Sequence, residues 1–261
     1  MVHGVWTTER LALAYFLYLA VVCWLRPLGR ARQVGLTFVA LVASAAVLYV
    51  RFAPIWVREW APAAYILLGY YASAYLFVAP STATETWLVA WDRRLLGDPS
   101  TRFVRWPRML VALLEVVYMG CFLLIGGGFA ILAARGDRAL ADRYWTLVVG
   151  AELGSFAPLA FVQTRPPWAL ERKPVLADRA VHDLAASMVE RFTIRVNTFP
   201  SGHVAGSLAV ALAVAGAMPW AGLAFGVVAA VVALACIVGR YHYVIDVVAG
   251  ALLAIALWFV I

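Results

Sequence analysis

Two ionisable residues, His242 and Asp246, stand one helical turn apart at the start of the last apolar segment of the chain. On a helix this spacing places both side chains on one face, so the carboxylate can accept a hydrogen bond from one ring nitrogen. The other ring nitrogen then keeps a directed lone pair, and a histidine held in this way serves as a nucleophile or a general base. A pair that only stabilises the start of a helix is the alternative.

A second polar stretch, NTFPSGHVAGS at 197–207, opens an earlier apolar segment. Pro200 suits the first turn of a helix, where backbone N–H groups at the positive end of the helix dipole bind anions. Ser201 adds a hydroxyl group, Gly202 permits close approach, and His203 is a candidate proton donor. A capped helix that carries an incidental histidine is the alternative.

Arg165 is a candidate phosphate ligand. It directly follows an apolar segment and precedes Pro166 and Pro167. Because proline ends a helix, the arginine is directed to the membrane interface. A guanidinium group binds two phosphate oxygens through a planar fork of N–H donors. An interfacial arginine before proline is common, so this residue alone is a weak indication.

The three motifs together resemble a known superfamily. Arg-Pro at 165–166, Pro-Ser-Gly-His at 200–203 and His-x-x-x-Asp at 242–246 follow one another on one predicted membrane face. This order is similar to that of the type 2 phosphatidic acid phosphatase superfamily, which also includes the vanadium haloperoxidases. The resemblance covers residues 62–261 and implies a six-helix phosphatase core, with two additional N-terminal transmembrane helices in residues 1–61.

The resemblance implies a role for each catalytic residue. His242 is the nucleophile that attacks phosphorus and forms a phosphohistidine, and Asp246 is its orienting carboxylate. His203 is the general acid that protonates the leaving oxygen and later activates the water that releases phosphate.

The resemblance also implies the phosphate ligands. Arg165 and the backbone of Ser201 and Gly202 hold the charge that builds on the equatorial oxygens. Such sites use no metal and no cofactor, and the remaining histidines, His3 and His182, have no ligand partner at metal spacing.

Two positions depart from the superfamily pattern. Its first motif has a lysine where this chain has Pro158, and its third motif has Ser-Arg where this chain has Ala and Cys at 235–236. Arg240 is the only nearby replacement; it reaches the same phosphate if the preceding helix continues, and an interfacial anchor is the alternative. The divergent third motif also resembles the phosphotransferases that make sphingolipid headgroups, in which a lipid alcohol replaces water as the acceptor.

A membrane must surround these motifs. Of the 261 residues, 65% are hydrophobic and 13% charged, whereas soluble domains average about 45–50% and about 25%. Apolar runs of about 20 residues indicate membrane helices, so we predict an all-α, polytopic integral membrane protein. The predicted spans are the eight apolar segments at 10–25, 33–50, 62–79, 109–134, 139–162, 201–218, 220–238 and 243–261.

The charge and cysteine content exclude other classes. The net charge of +7 comes almost wholly from arginine and suits anionic lipids or an anionic substrate. The basic residues are dispersed among the spans, which is a poor fit to nucleic-acid binding. Cys23, Cys121 and Cys236 each stand alone in an apolar run, so neither a disulfide framework nor a metal site is expected.

Two long polar connections, 81–107 and 163–199, lie on the predicted face of the site. Ser81 can cap a helix, and the apolar residues after it recur at helical spacing, which predicts a helix lying in the membrane interface. The second connection holds an amphipathic segment at 177–192. Most Lys and Arg residues fall on this side, which the positive-inside rule assigns to the cytoplasm. The superfamily mostly has an extracytoplasmic site, and we follow it: the expectation is a multi-pass protein of a bacterial inner membrane.

The expected function is a metal-independent lipid phosphatase that acts on a lipid phosphomonoester or diphosphate, with membrane lipids as its surroundings. A lipid phosphotransferase, a metal-dependent hydrolase and a non-catalytic transporter or scaffold stay open as alternatives, and so does the oligomeric state. Glu115 and Glu152 lie inside spans, where carboxylates must be paired or protonated. A structural hydrogen bond is expected for both, with a proton or headgroup path as the alternative.

Overall fold

The computed structural model describes residues 4–136, 138–171, 193–194 and 196–261. In these residues the fold is all-α, as predicted, and extended pairing is restricted to an isolated bridge between Thr164 and Asn197. The longer helices are α1 (Thr7–Val22), α2 (Arg30–Val50), α3 (Ile55–Ala74), α4 (Thr82–Leu96), α5 (Arg108–Gly120), α6 (Phe122–Ala133), α7 (Arg138–Phe156), α8 (Gly202–Ala217), α9 (Pro219–Val238) and α10 (Val244–Val260). The predicted amphipathic segment at 177–192 lies outside the described residues.

Several helices are long and apolar enough to cross a membrane. Three meet both criteria: Thr7–Leu25, which is α1 with the turn that follows it, together with α2 and α9. The pair α5 and α6 is a fourth if it counts as one bent span, and α8 and α10 are apolar but shorter. Large apolar side chains such as Phe38, Leu123 and Phe259 are exposed on the outer surface, as expected for a surface that faces lipid.

The predicted span at 109–134 is broken, which corrects the expectation of one continuous helix. α5 and α6 meet at an angle of 59°, with Cys121 between them. The two halves have different partners: Val111 and Tyr118 of α5 belong to a cluster with α9, whereas Gly128 of α6 lies against Val210 of α8. The chain bends because one straight helix cannot follow both surfaces.

Other helix boundaries also differ from the apolar runs. α3 begins at Ile55, after Pro54, and ends at Ala74, well before the predicted end of the 62–79 segment. α7 ends at Phe156, and one 3₁₀ turn at Ala157–Ala160 follows it within the predicted 139–162 span. Pro54 precedes α3, and Pro158 lies in the 3₁₀ turn after α7; at both positions proline fixes φ and removes a backbone donor.

α8 is the central helix of the site. It packs against α6, α7, α9 and α10, and its small side chains allow a close approach of these neighbours. Gly250 of α10, for example, sits where an added Cβ atom would lie 2.6 Å from the carbonyl oxygen of Ser201. The start of α8 is therefore held directly against the first turns of α10.

α4 confirms the helix predicted in the first long connection. Ser81 is its N-cap, with the side-chain oxygen accepting from the Thr84 N–H at 3.3 Å. Among the longer helices it packs against α10, and Leu88 is fully buried. α4 therefore lies over the polar end of the bundle, beside the loops that carry the motif residues.

Candidate active site

The two predicted catalytic histidines face each other. His242 lies in the loop between α9 and α10, and His203 lies in the first turn of α8. The Nε2 atom of His242 is 3.4 Å from Nδ1 of His203, so one ring donates a hydrogen bond to the other. Any group that binds to Nε2 of His242 has to displace this contact. The fold thus joins two motifs that are 39 residues apart in the chain.

Asp246 lies on the opposite side of the His242 ring. Its Oδ2 atom is 3.5 Å from Nδ1 of His242, and the side chains are 5% and 0% exposed. Among the described residues the Nδ1 atom has no hydrogen-bond partner, so the contact with Asp246 is an electrostatic approach and not a well-aligned hydrogen bond. The geometry leaves Nε2, and not Nδ1, directed at His203.

The Asp246 carboxylate is held by Asn197, which the sequence analysis missed. The Asn197 side chain donates to Oδ2 of Asp246 at 2.9 Å and to Oγ1 of Thr164 at 3.0 Å. The backbone N–H of Tyr243 donates to the same Oδ2 atom at 3.0 Å. Asn197 therefore connects the residue before Arg165 with the Asp246 carboxylate. Its place three residues before Pro200 was the only signal in the sequence.

The start of α8 corrects the prediction for Pro200. The helix begins at Gly202 and Ser201 is its N-cap, so Pro200 lies before the helix and not in its first turn. The Ser201 hydroxyl is fully buried and caps the N–H of Val204 at 3.5 Å. The backbone N–H of Ser201 donates to the Asp246 carbonyl oxygen at 3.0 Å. Of the predicted backbone donors, the one on Ser201 is therefore already engaged.

Gly202 lies close to α7. A Cβ atom at this position would lie 2.9 Å from Oγ of Ser155 and 3.2 Å from Oε2 of Glu152. The glycine therefore brings α8 close to α7, and its predicted role in admitting a phosphate stays a prediction. Glu152 is buried at this contact, and Glu115 is buried in α5.

An aromatic stack fixes the other face of the site. The Tyr118 ring of α5 stacks on His203, with centroids 4.7 Å apart, and on Tyr241, with centroids 3.8 Å apart. Phe122 of α6 approaches His203 at 5.3 Å. Rings packed in this way restrict rotation of the His203 imidazole. The bend between α5 and α6 is what allows both Tyr118 and Phe122 to contact the histidine.

Arg165 forms a two-pronged ion pair with Glu85 of α4. Nε of Arg165 donates to Oε1 at 2.9 Å, Nη2 donates to Oε2 at 2.8 Å, and the backbone N–H of Arg165 donates to Oε1 at 2.9 Å. These hydrogen bonds hold the pKa of Glu85 below its ordinary value, against the effect of burial. The Arg165 side chain is 44% exposed. The Tyr243 hydroxyl donates to the Arg165 carbonyl at 3.0 Å, which ties this segment to the His242 loop.

Arg240 pairs with two carboxylates. Its Nη1 atom is 2.9 Å from Oδ2 of Asp92, and its Nε atom is 2.8 Å from Oε1 of Glu171. Arg240 is buried and has φ of 58°, so the backbone is left-handed there and the preceding helix does not continue through it. The predicted reach along a continued helix is therefore wrong. Its role at a phosphate is untested, and the ends of its side chain meet protein carboxylates.

Cys236 and Pro158 mark the two departures from the superfamily pattern. Cys236 is fully buried in the cluster between α5 and α9, and Pro158 lies in the 3₁₀ turn after α7. Among the described residues, no group of three or more His, Cys, Asp and Glu side chains is arranged to hold a metal ion.

Comparison with known proteins supports the family that these motifs resemble. The model of the PAP2 superfamily matches residues 86–260, about two thirds of the chain, and this range contains every candidate catalytic residue. No curated protein and no solved structure matches the chain. The matched range begins within α4 and runs through the last residue of α10, so it includes all of the elements that surround the two histidines. The chain therefore belongs to the PAP2 superfamily, the type 2 phosphatidic acid phosphatases and their relatives.

Proposed function

We propose that this protein is a membrane lipid phosphatase that hydrolyses a phosphomonoester or diphosphate through a phosphohistidine. Superfamily membership supports phosphatase-type chemistry. The observation that carries the mechanism is the 3.4 Å approach of His242 Nε2 and His203 Nδ1. It places a nucleophile and a proton donor close enough to act on the same phosphate group, one at phosphorus and the other at the leaving oxygen.

The reaction has two steps. His242 Nε2 attacks phosphorus while the bond to the leaving oxygen breaks, and His203 gives its proton to that oxygen. His203 then takes a proton from water, whose oxygen attacks phosphorus; the bond from phosphorus to Nε2 of His242 breaks, and phosphate is released. Asp246 stabilises the positive charge that His242 acquires in the first step. These residues need no metal for either step.

A lipid substrate and a polytopic chain belong to the same proposal. α4 is amphipathic in sequence, with exposed Trp87 on its outer surface, and it lies beside the site, where a lipid headgroup can reach the histidines. We propose that the chain crosses a bacterial inner membrane eight times, with the site on the extracytoplasmic side. In this division residues 1–61 supply two additional spans and residues 62–261 the phosphatase core.

The experiment measures phosphate release from a panel of lipid phosphates and diphosphates in detergent micelles with EDTA present throughout. Wild type should release phosphate, and His242→Ala should lose at least about a thousandfold because the nucleophile is removed. Arg135→Ala, at an exposed position after α6, is the control and should match wild type. Release that persists in His242→Ala would refute the mechanism, and wild-type release that is seen only in a parallel assay without EDTA would favour a metal-dependent hydrolase. If wild type neither releases phosphate to water nor transfers it to a lipid alcohol, the remaining candidate is a non-catalytic transporter or scaffold.

A lipid phosphotransferase is the second candidate. The observation that favours it is Cys236, which is fully buried at the position where the hydrolases of the superfamily have arginine. In this reaction the oxygen of a lipid alcohol attacks in place of water, and the acceptor proton passes to His203. Adding a lipid alcohol to the same assay and following the new phospholipid separates the two candidates. Transfer that exceeds hydrolysis would replace the phosphatase assignment.

A further inference from the structure

α4 carries two buried carboxylates on one face. Glu85 and Asp92 lie two helical turns apart, and they are 3% and 1% exposed. The face turns towards the loops of the site, where Glu85 meets Arg165 and Asp92 meets Arg240. Each arginine that the sequence offers as a phosphate ligand is thus paired with one carboxylate of the same helix.

The pair at Arg165 leaves donors available. Glu85 accepts from Nε and Nη2, which form one edge of the guanidinium. The guanidinium has five N–H donors, so within the described part of the chain Nη1 and the second hydrogen of Nη2 are left on the other edge. The arginine side chain is 44% exposed. An anion can therefore bind to the open edge while Glu85 keeps the guanidinium in place.

The ion pairs at Arg240 leave much less of its guanidinium accessible to an anion. Two carboxylates, from Asp92 and Glu171, meet Nη1 and Nε, and the Arg240 side chain is only 5% exposed. The positive charge is already offset, and its burial restricts access to any further anion. Burial raises the pKa of Asp92, while the N–H of Val244 and the charge of Arg240 oppose that rise.

The contacts around Arg240 instead fix the loop that carries His242. The Asp92 carboxylate accepts from the N–H of Val244, the first residue of α10, at 2.9 Å. The Arg240 carbonyl accepts from the N–H of Trp168 at 3.1 Å. The loop from Arg240 to Val244 is therefore tied on both sides of the histidine.

We propose that α4 assigns the two arginines different tasks: Glu85 presents Arg165 to the substrate phosphate, and Asp92 holds Arg240 as a positioning residue for His242. The inference rests on the proposed function. It makes Glu85 and Asp92 positioning residues as well, since each acts through an arginine. It also removes Arg240 from the set of phosphate ligands.

The same acid-to-amide change at the two positions tests the division by steady-state kinetics. Glu85→Gln should raise KM about tenfold with a smaller change in kcat, because Arg165 loses its orientation towards the phosphate. Asp92→Asn should lower kcat about tenfold with a smaller change in KM, because His242 shifts. Glu85→Asp keeps the negative charge, so its KM should lie between those of wild type and Glu85→Gln. The inference would be overturned if Glu85→Gln and Asp92→Asn changed KM and kcat in the same proportions. A lower KM in Glu85→Gln would also overturn it.

A double variant checks that Glu85 acts through Arg165. In an Arg165→Ala background, Glu85→Gln should produce no further rise in KM, because the coupled partner is already absent. A second tenfold rise there would show that Glu85 affects the site by another route and would overturn its assigned role.

A measurement on wild type needs neither turnover nor variants. Phenylglyoxal, which modifies exposed arginines, should label Arg165, and inorganic phosphate should protect it; mass spectrometry locates the label. Arg240 should stay unlabelled with or without phosphate. Suppose that wild type hydrolyses lipid phosphates. Phosphate-protected labelling of Arg240, or labelling of Arg165 that phosphate does not reduce, would then overturn this inference and leave the proposed function in place. Wild type that neither hydrolyses them nor shows phosphate protection overturns the proposed function and this inference together.

Discussion

At the scale of single residues, the orientation of Asp246 depends on Asn197. The amide of this buried residue joins Asp246 to Thr164, so it also joins the loop before Arg165 to the first turn of α10. The sequence motif contains the acid and the histidine, but it does not contain the group that holds the acid.

Asn197→Ala should lower kcat about 10- to 100-fold, because a hydrogen bond to a charged group is lost and Asp246 is free to turn from His242. Steady-state phosphate release measures the effect. Asn197→Asp, which keeps the shape but places a second carboxylate beside Asp246, should be at least as impaired. Wild-type kcat in the alanine variant would contradict this role.

Tyr118 orients His203 by stacking on its ring, as Asn197 orients Asp246 by a hydrogen bond. Tyr118→Leu should lower kcat about three- to tenfold, because the stacking that restricts the imidazole disappears. Tyr118→Phe keeps both ring contacts and should stay close to wild type. If the phenylalanine variant falls as far as the leucine variant, the hydroxyl group and not the stack is what matters.

At the scale of elements, the approach of α10 to α8 decides whether the two histidines meet. Gly250 and Asp246 share a face of α10, and the glycine lies against the Ser201 carbonyl at the start of α8. Backbone cannot move aside as a flexible side chain can, so this contact sets the separation of the two helices. Gly226 of α9 has open space around it and offers a matched control.

Gly250→Ala should destabilise the fold by about 1–3 kcal/mol, as overpacking does, and it should lower kcat because α10 moves away from α8. Gly226→Ala should be neutral or slightly stabilising, since alanine favours a helix and meets nothing. Thermal unfolding in micelles and phosphate release measure the two effects. A Gly250→Ala variant with wild-type Tm and kcat would show that the helices adjust freely.

At the scale of the whole molecule, the bent pair α5 and α6 determines which loops share a side. Phe122 lies at the His203 end of α8, and Gly128 lies against Val210, further along that helix. α6 therefore runs away from the site, which favours a crossing over a re-entrant loop. Arg93 at the site end of the bundle and Arg135 after α6 are both exposed.

Single cysteines at these two positions should react with a membrane-impermeant maleimide from opposite sides. Arg93→Cys should be labelled by reagent on the membrane side that holds the site. Arg135→Cys should be labelled only when the reagent is given access to the opposite side of the membrane. The background is low because the native Cys23, Cys121 and Cys236 are all buried. Labelling of both variants from the same side would make α5 and α6 a re-entrant pair.

The sequence alone determined the features that depend on local spacing. The interval of His242 and Asp246 follows from the repeat of a helix, the hydroxyl of Ser81 predicts a helix start, and the long apolar runs predict the all-α fold. Arg-Pro and Pro-Ser-Gly-His are recognised by their residue types and their order in the chain. Tertiary structure decided what contacts each motif residue. Asp92 reaches Arg240 and Asn197 reaches Asp246 across long stretches of chain, and α5 bends away from α6 because their packing partners differ. Such contacts depend on where distant helices pack, and no local pattern encodes the partner of a buried charge.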